Sequence, residues 1–214
     1  MKPLLTDYDE RELADLPLIC DQPPYRVRQL HKWLVSGTDF DEMTDLPKQL
    51  RARLEETYSA TGARIIKVAR SSDGTEKYLY SLNDGSLVEG VLMTYKYGRT
   101  LCVSTQVGCR MGCAFCASGR DGLFRNLSCG EMLGELTAAN ARAGDKRVGN
   151  VVLMGSGEPL DNYENVTKFI RRLSESGIVG QRSVSLSTCG LTDKVRALAD
   201  DGFSVTLCLS LHSP

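Results

Sequence analysis

Cys109-Arg-Met-Gly-Cys113-Ala-Phe-Cys116 gathers three cysteines into eight residues, in a C-x3-C-x2-C spacing with an aromatic residue just before the last. Three thiolates on one short loop can hold three corners of a 4Fe–4S cube. The fourth iron then has no protein ligand, and the amino and carboxylate groups of S-adenosyl-L-methionine (SAM) can chelate it. An electron from the cluster could then reach the sulfonium, and cleavage would give a 5′-deoxyadenosyl radical, chemistry that a protein mainly positions. Two plainer readings compete. A structural zinc site wants four ligands, usually as two separated pairs, and no second pair is visible. A ferredoxin-like module wants a fourth cysteine; Cys129 is available, but it lies beyond a Gly-rich stretch at a helix start. Gly108 and Gly112 would let the loop wrap closely. Arg110 or Arg120 could bring positive charge to an anionic cluster, or could simply be exposed.

A second constellation is Met154-Gly-Ser-Gly-Glu158-Pro159-Leu160. Glycines such as Gly157 permit close backbone approach at a strand end, and Glu158 offers a carboxylate to a ligand amine. The same residues also suit an ordinary turn with proline at a helix entry. One strand after a cysteine loop, they become candidates for holding the SAM ammonium group. Ser187 and Ser210-Leu211-His212 close the next two strands and could bind the ribose or carboxylate of SAM, although His212 equally suits a strand-end histidine.

The elements that position these residues follow from hydrophobic period and turn chemistry. The first sixty residues read as helical: Val27, Leu30, Leu34 and Trp33 recur at helical spacing after Pro23-Pro24, and Leu46-Pro47 opens a second helix carrying Leu50 and Leu54. Arg26, Arg28, Lys32, Lys48, Arg51 and Arg53 are expected on its exposed surface, as a phosphate-contacting patch or a solvated face. Strands follow from Ala63, over 75–82, 86–95 and 99–105, with Asn83-Asp84-Gly85 as a hairpin turn. Beyond the cysteine loop, helices are expected over 128–143, 162–176 and 192–200, alternating with strands over 148–154, 182–187 and 203–209. This alternation implies an α/β fold with a parallel sheet of barrel type, whose functional residues sit at the C-terminal strand ends. The expected organisation is a helical region over 1–60, a β-hairpin extension over 61–98 and a partial barrel core over 99–214. Four barrel strands are too few to close, which suggests a truncated chain.

Composition excludes some classes. The 214 residues are 42% hydrophobic and 25% charged, with a net charge of −1, so any nucleic acid must meet a local basic patch rather than a global field. No signal core or membrane-length apolar run is present, so a cytoplasmic location with no membrane partner is expected. Eight cysteines, three of them crowded into eight residues, point to metal or redox chemistry rather than a disulfide framework.

The sequence resembles the radical SAM adenine-C2 RNA methyltransferases, the RlmN and Cfr group, over nearly its whole length. The resemblance is carried by Thr100-Leu-Cys-Val-Ser-Thr-Gln-Val-Gly-Cys109, the cysteine loop, Asn150-Val-Val-Leu-Met-Gly-Ser-Gly-Glu-Pro-Leu160, Ser185-Leu-Ser-Thr-Cys-Gly190 and Leu209-Ser-Leu-His212. Residues 25–54 look like the family's accessory RNA-binding domain. The resemblance implies a partial radical SAM barrel acting on 23S ribosomal RNA, with transfer RNA as a further candidate substrate. It also implies an electron donor such as flavodoxin or ferredoxin.

In the implied mechanism a methylated cysteine donates a carbon radical to C2 of adenine, which has no lone pair for ordinary methyl transfer. A base then takes the C2 proton, and a second thiol forms a transient disulfide. By position Cys102 matches that thiol and Glu89 the proton acceptor. From the residues alone, Cys102 reads as a buried inert thiol, and burial of Glu89 in its apolar strand could raise its pKa. The family's methyl-carrying cysteine lies beyond the last residue here, and neither Cys189 nor Cys208 matches it; the asparagine that completes the family's SAM site is also unmatched. The alternatives are a different radical SAM reaction, or a fragment that binds a cluster or RNA without turnover.

Overall fold

The computed structural model describes residues 2–144 and 146–211. Three helices form the N-terminal part: α1 (Glu10–Ala14), α2 (Pro24–Ser36) and α3 (Lys48–Thr57). Asp9 caps α1 in a reciprocal capping box with Glu12. Pro24 opens α2, and Gly37 at φ 75° closes it. Val27, Leu30, Leu34, Leu50 and Leu54 join Phe40 and Met43 in a core of their own.

A mixed sheet follows. Its antiparallel strands are β1 (Ala63–Arg70), β2 (Glu76–Leu82), β3 (Leu87–Tyr95) and β4 (Gly98–Cys102). After a separate ribbon of β5 (Gln106–Gly108) and β6 (Leu123–Asn126), the chain alternates. The order is α4 (Cys129–Ala143), β7 (Val148–Leu153), α5 (Tyr163–Glu175), β8 (Val184–Thr188), α6 (Thr192–Asp200) and β9 (Thr206–Leu209). β4, β7, β8 and β9 run parallel, side by side. The full sheet order is β1-β2-β3-β4-β7-β8-β9, so the strands after residue 60 extend the edge of the barrel sheet. Side chains of β2, β3, β4, β7 and β8 meet α4 and α5 in the main core, around Tyr80, Leu101, Leu136, Phe169 and Leu186.

The expected strand over 99–105 stops at Cys102. Beyond it the backbone leaves β3, and Thr105 and Gln106 both donate to the Ser156 carbonyl, at 2.8 and 3.1 Å. That departure makes room for the β5–β6 ribbon, which the sequence pattern does not announce. The two cores are joined at α4: Asp7 accepts from the Gly130 N–H at 2.7 Å, and Lys168 on α5 pairs with Glu12 at 3.0 Å. Among the described residues no helix is long and apolar enough to cross a membrane.

Candidate functional site

The β5–β6 ribbon is the stem of the cysteine loop. Cys109 N–H donates to the Gly122 carbonyl at 3.0 Å, closing the loop where the ribbon ends. Gly108, at φ 77°, lies so close to that carbonyl that an added Cβ would collide with it, so only glycine fits. The base of the stem is fixed by Asn162, whose buried amide donates at 2.8 Å to the carbonyls of both Thr105 and Leu127.

Cys109, Cys113 and Cys116 line one cavity of about 520 Å³ at the C-terminal ends of β7, β8 and β9. Met154, Gly157 and Glu158 supply its second wall, and Ser187, Cys189, Ser210 and Leu211 its third. The structure thus brings the cysteine loop together with the candidate residues after each barrel strand; His212 lies outside the described residues. Ser187 and Ser210 hydroxyls stand 3.1 Å apart. Cys129 does not join them: it is buried in the main core at the start of α4, where burial pushes its thiol up to about 12.

Glu158 is buried, and its carboxylate is held by backbone. Oε1 accepts from Leu160 N–H at 3.1 Å and Oε2 from Cys189 N–H at 2.9 Å. A carboxylate has about four lone-pair directions, so acceptor capacity remains for a ligand. Desolvation, then the Glu158 carboxylate, pushes the Cys189 thiol up to about 11. Burial likewise raises Cys109; binding iron would reverse that, because a coordinated thiol is deprotonated outright.

Four residues that sequence reading did not single out organise this cavity: Gln106, Asn126, Asp161 and Asn162. Gln106 Oε1 accepts from Glu158 N–H at 2.9 Å, while Nε2 donates to Asn126 and Asp161 at 2.8 and 2.9 Å. Asp161 also accepts from Arg110 Nε at 2.8 Å. Burial pushes the Asp161 carboxyl upward, but the Arg110 and Gln106 hydrogen bonds outweigh it and leave the group below its ordinary value. Arg120 is exposed.

Residues 103–214 match the family model of the Radical SAM superfamily. The chain belongs to the radical SAM superfamily. Residues 4–59 match the Ribosomal RNA large subunit methyltransferase N-terminal domain. The probable dual-specificity RNA methyltransferase RlmN of Clostridium botulinum (strain Eklund 17B / Type B) is 47% identical over 217 residues, covering 100% of this chain and 62% of that protein. The protein of that name from Lachnoclostridium phytofermentans is 49% identical over 201 residues, covering 92% and 56%. A radical SAM methyltransferase from Sphaerobacter thermophilus, seen in a crystal structure, superposes with a TM-score of 0.92 at 40% identity, over 99% of this chain and 64% of that one. The chain therefore spans 62% or less of the first two relatives.

Membership carries the superfamily's cofactors, a 4Fe–4S cluster and SAM, and the residues present fit them. Among the described residues no three His, Cys, Asp or Glu side chains are grouped as ligands of a single metal ion. Thiolates on three corners of a cube stand further apart than ligands of one ion, because the cube lies between them. The cavity that those thiolates share with Glu158 and two serine hydroxyls offers acceptors for an ammonium and donors for a carboxylate or ribose.

Two expectations are corrected. Glu89 is not buried: alternation along β3 sends Val88 and Leu92 into the core and Glu89 to the opposite face, where it pairs with Lys77 at 2.8 Å. Cys102 is half-buried rather than sealed in the core, and desolvation pushes its thiol up to about 11 against a favourable contact from the Met154 N–H. Cys102 lies directly opposite Val91, so Glu89, two residues along, shares its face of the sheet. All eight cysteines are free thiols.

Proposed function

We propose that this chain carries the cofactor-binding core and RNA-contacting helices of a radical SAM methyltransferase acting on C2 of an adenine in 23S ribosomal RNA, with a transfer RNA adenine as second substrate. The observation that carries the reading is the single cavity lined by Cys109, Cys113, Cys116 and Glu158, with the N-terminal domain match as its complement.

Cys109, Cys113 and Cys116 hold three irons of the cluster. Gly157 and Glu158 receive the SAM ammonium, and Ser187, Ser210, Leu211 and His212 receive its carboxylate and ribose. When bound, the cluster supplies the electron that cleaves the SAM sulfonium. The buried Glu158, fixed by two backbone donors, fixes the orientation of its ligand in turn. Glu89 takes the C2 proton; Cys102, as a thiolate, then attacks the crosslinked cysteine sulfur, the S–C bond breaks with its electron pair on the carbon, which takes up a proton to become the methyl group, and the two sulfurs are left as a transient disulfide. The shared face of Glu89 and Cys102 supports that pairing of roles. Adenine C2 is reachable only when the base is unstacked, which favours an irregular RNA segment.

The roles divide along the chain: residues 1–60 contact RNA, 61–98 widen the sheet, and 99–214 hold the cofactors. Flavodoxin or ferredoxin supplies the electron, and the free thiols suit a reducing cytoplasm.

Anaerobic cluster reconstitution tests the reading, with electron paramagnetic resonance of the reduced protein with and without SAM beside a Cys113→Ala control. A 4Fe–4S signal that SAM perturbs and that the variant lacks is expected. A zinc-only protein, or a cluster blind to SAM, overturns it. Detection of 2-methyladenine in RNA digests then separates RNA methylation from another radical SAM reaction or from binding alone.

A further inference from the structure

Asp161 Oδ2 is shared by two donors, one from the cysteine loop and one from the stem that carries it. Arg110 Nε reaches it at 2.8 Å from inside the cysteine loop, and Gln106 Nε2 reaches it at 2.9 Å from β5. Gln106 is fully buried, and its other amide atom accepts from Glu158 N–H at 2.9 Å. Glu158 continues the chain to Cys189 N–H at the end of β8. The missing side chain at Gly157 is what admits Gln106: a Cβ there would stand 2.6 Å from the Gln106 Cβ, and φ is 108°.

One hydrogen-bonded path therefore runs from the cysteine loop, through Asp161 and Gln106, to the backbone of the residue assigned to the SAM ammonium. Every polar atom of the Gln106 amide is engaged, so the amide has one orientation. The Arg110–Asp161 contact joins an exposed charged donor to a charged acceptor that is largely shielded from water; with both partners ionised it is stronger than a neutral bond.

From this geometry we infer that Asp161 and Gln106 are positioning residues that hold the cysteine loop, and with it the open iron, in register with Glu158. The inference rests on the cluster reading of the preceding section and deepens it. Arg110 is the handle on the loop, Asp161 the anchor, and Gln106 the spacer that carries the register to the second wall. The brace lies outside the cavity lining, so its members act through the loop and Glu158 rather than on SAM itself.

The test compares reconstituted wild-type protein with Asp161→Ala, Arg110→Ala and the double variant. Iron release to a chelator and SAM affinity by titration are measured on the cluster-loaded protein, and the melting temperature on the cluster-free protein. Each single variant is expected to release iron roughly tenfold faster and to bind SAM roughly tenfold more weakly, the size of one charge-assisted hydrogen bond. The double variant is expected to match the worse single, because the two residues act through one contact. Melting temperatures should stay close to wild type, and Arg110→Lys should recover part of the loss by restoring a charged donor.

Wild-type iron release and SAM affinity in either single variant overturns the inference. So does a double variant whose losses multiply, or a loss that only tracks a fallen melting temperature. If Asp161→Ala fails to fold, Asp161→Asn is read in its place, since it keeps shape and loses charge. Failure of the wild type to assemble a cluster rejects the underlying reading and the brace together, whereas a normal wild type with indifferent variants rejects the brace alone.

Discussion

The backbone N–H of Cys189 lies 2.9 Å from Glu158 Oε2, so the end of β8 is tied to the turn that follows β7. The other oxygen serves Leu160 N–H at 3.1 Å. A glutamine has only one accepting oxygen. Glu158→Gln must therefore leave one of these N–H groups facing an amide nitrogen. The variant is expected to weaken SAM binding by tenfold or more, measured by titration of the reconstituted protein, and to lower the melting temperature modestly. Unchanged SAM affinity would remove the carboxylate from the proposed ammonium site.

Asn162 offers a sharper stability prediction. Its amide donates to two buried carbonyls that flank the whole β5–β6 excursion. Asn162→Ala leaves the Leu127 carbonyl without that donor and loosens the stem of the cysteine loop. The expected cost is about 1–3 kcal/mol in denaturant unfolding, with faster proteolysis inside residues 106–126. A variant as stable as wild type would mean that water or a backbone shift replaces the bonds.

The elements most legible in the sequence are those fixed by local chemistry. Ser128 and Glu131 spell the capping box that starts α4, and both halves of it form. Pro24 and Gly37 bound α2 for equally local reasons. The cysteine loop and the Gly157-Glu158 turn were legible because their spacing is itself the chemistry. β4 was overrun because Val103 continues its apolar pattern, while the reason to leave the sheet is the distant Ser156 carbonyl. Asp161 and Gln106 were invisible for the same reason: their partnership spans 55 residues, and that of Asp161 with Arg110 spans 51. The exposure of Glu89 is not legible in the sequence, because an apolar run says that a strand is buried on one face without saying which face its lone carboxylate takes.

Glu135 should make stability depend on pH. It is completely buried in α4, where Oε2 accepts from Ser104 N–H at 3.2 Å and Oε1 has no partner. Burial holds its pKa well above the ordinary 4.5, so the folded protein keeps the proton while the unfolded chain releases it. Stability from this residue is thus full below about pH 4.5 and falls as pH rises, by about 1.4 kcal/mol per unit until the folded pKa is reached. Glu135→Gln cannot ionise, so the difference between variant and wild type should grow as pH rises above about 4.5 in chemical unfolding. A constant difference across that range would rule out a neutral buried acid.

The N-terminal basic residues divide into two groups that RNA binding should separate. Residues 1–60 carry eight Lys and Arg against twelve Asp and Glu, so RNA affinity there must come from a local cluster rather than from net charge. Arg26 donates to Gln29 and to the Asp45 carbonyl, and Arg51 donates to the carbonyls of Phe40 and Asp41, so both are committed to the fold. Arg28, Lys32, Lys48 and Arg53 are exposed. Alanine at any of these four is expected to leave melting unchanged. It should also flatten the dependence of log affinity on log salt, by roughly 0.7–0.9 for each phosphate that the side chain had neutralised. Arg26→Ala and Arg51→Ala should instead lower the melting temperature and leave the salt slope alone. A salt slope unchanged in all six variants would move the RNA surface off these helices, since a residue that neutralises a phosphate must alter the salt slope whatever else it does.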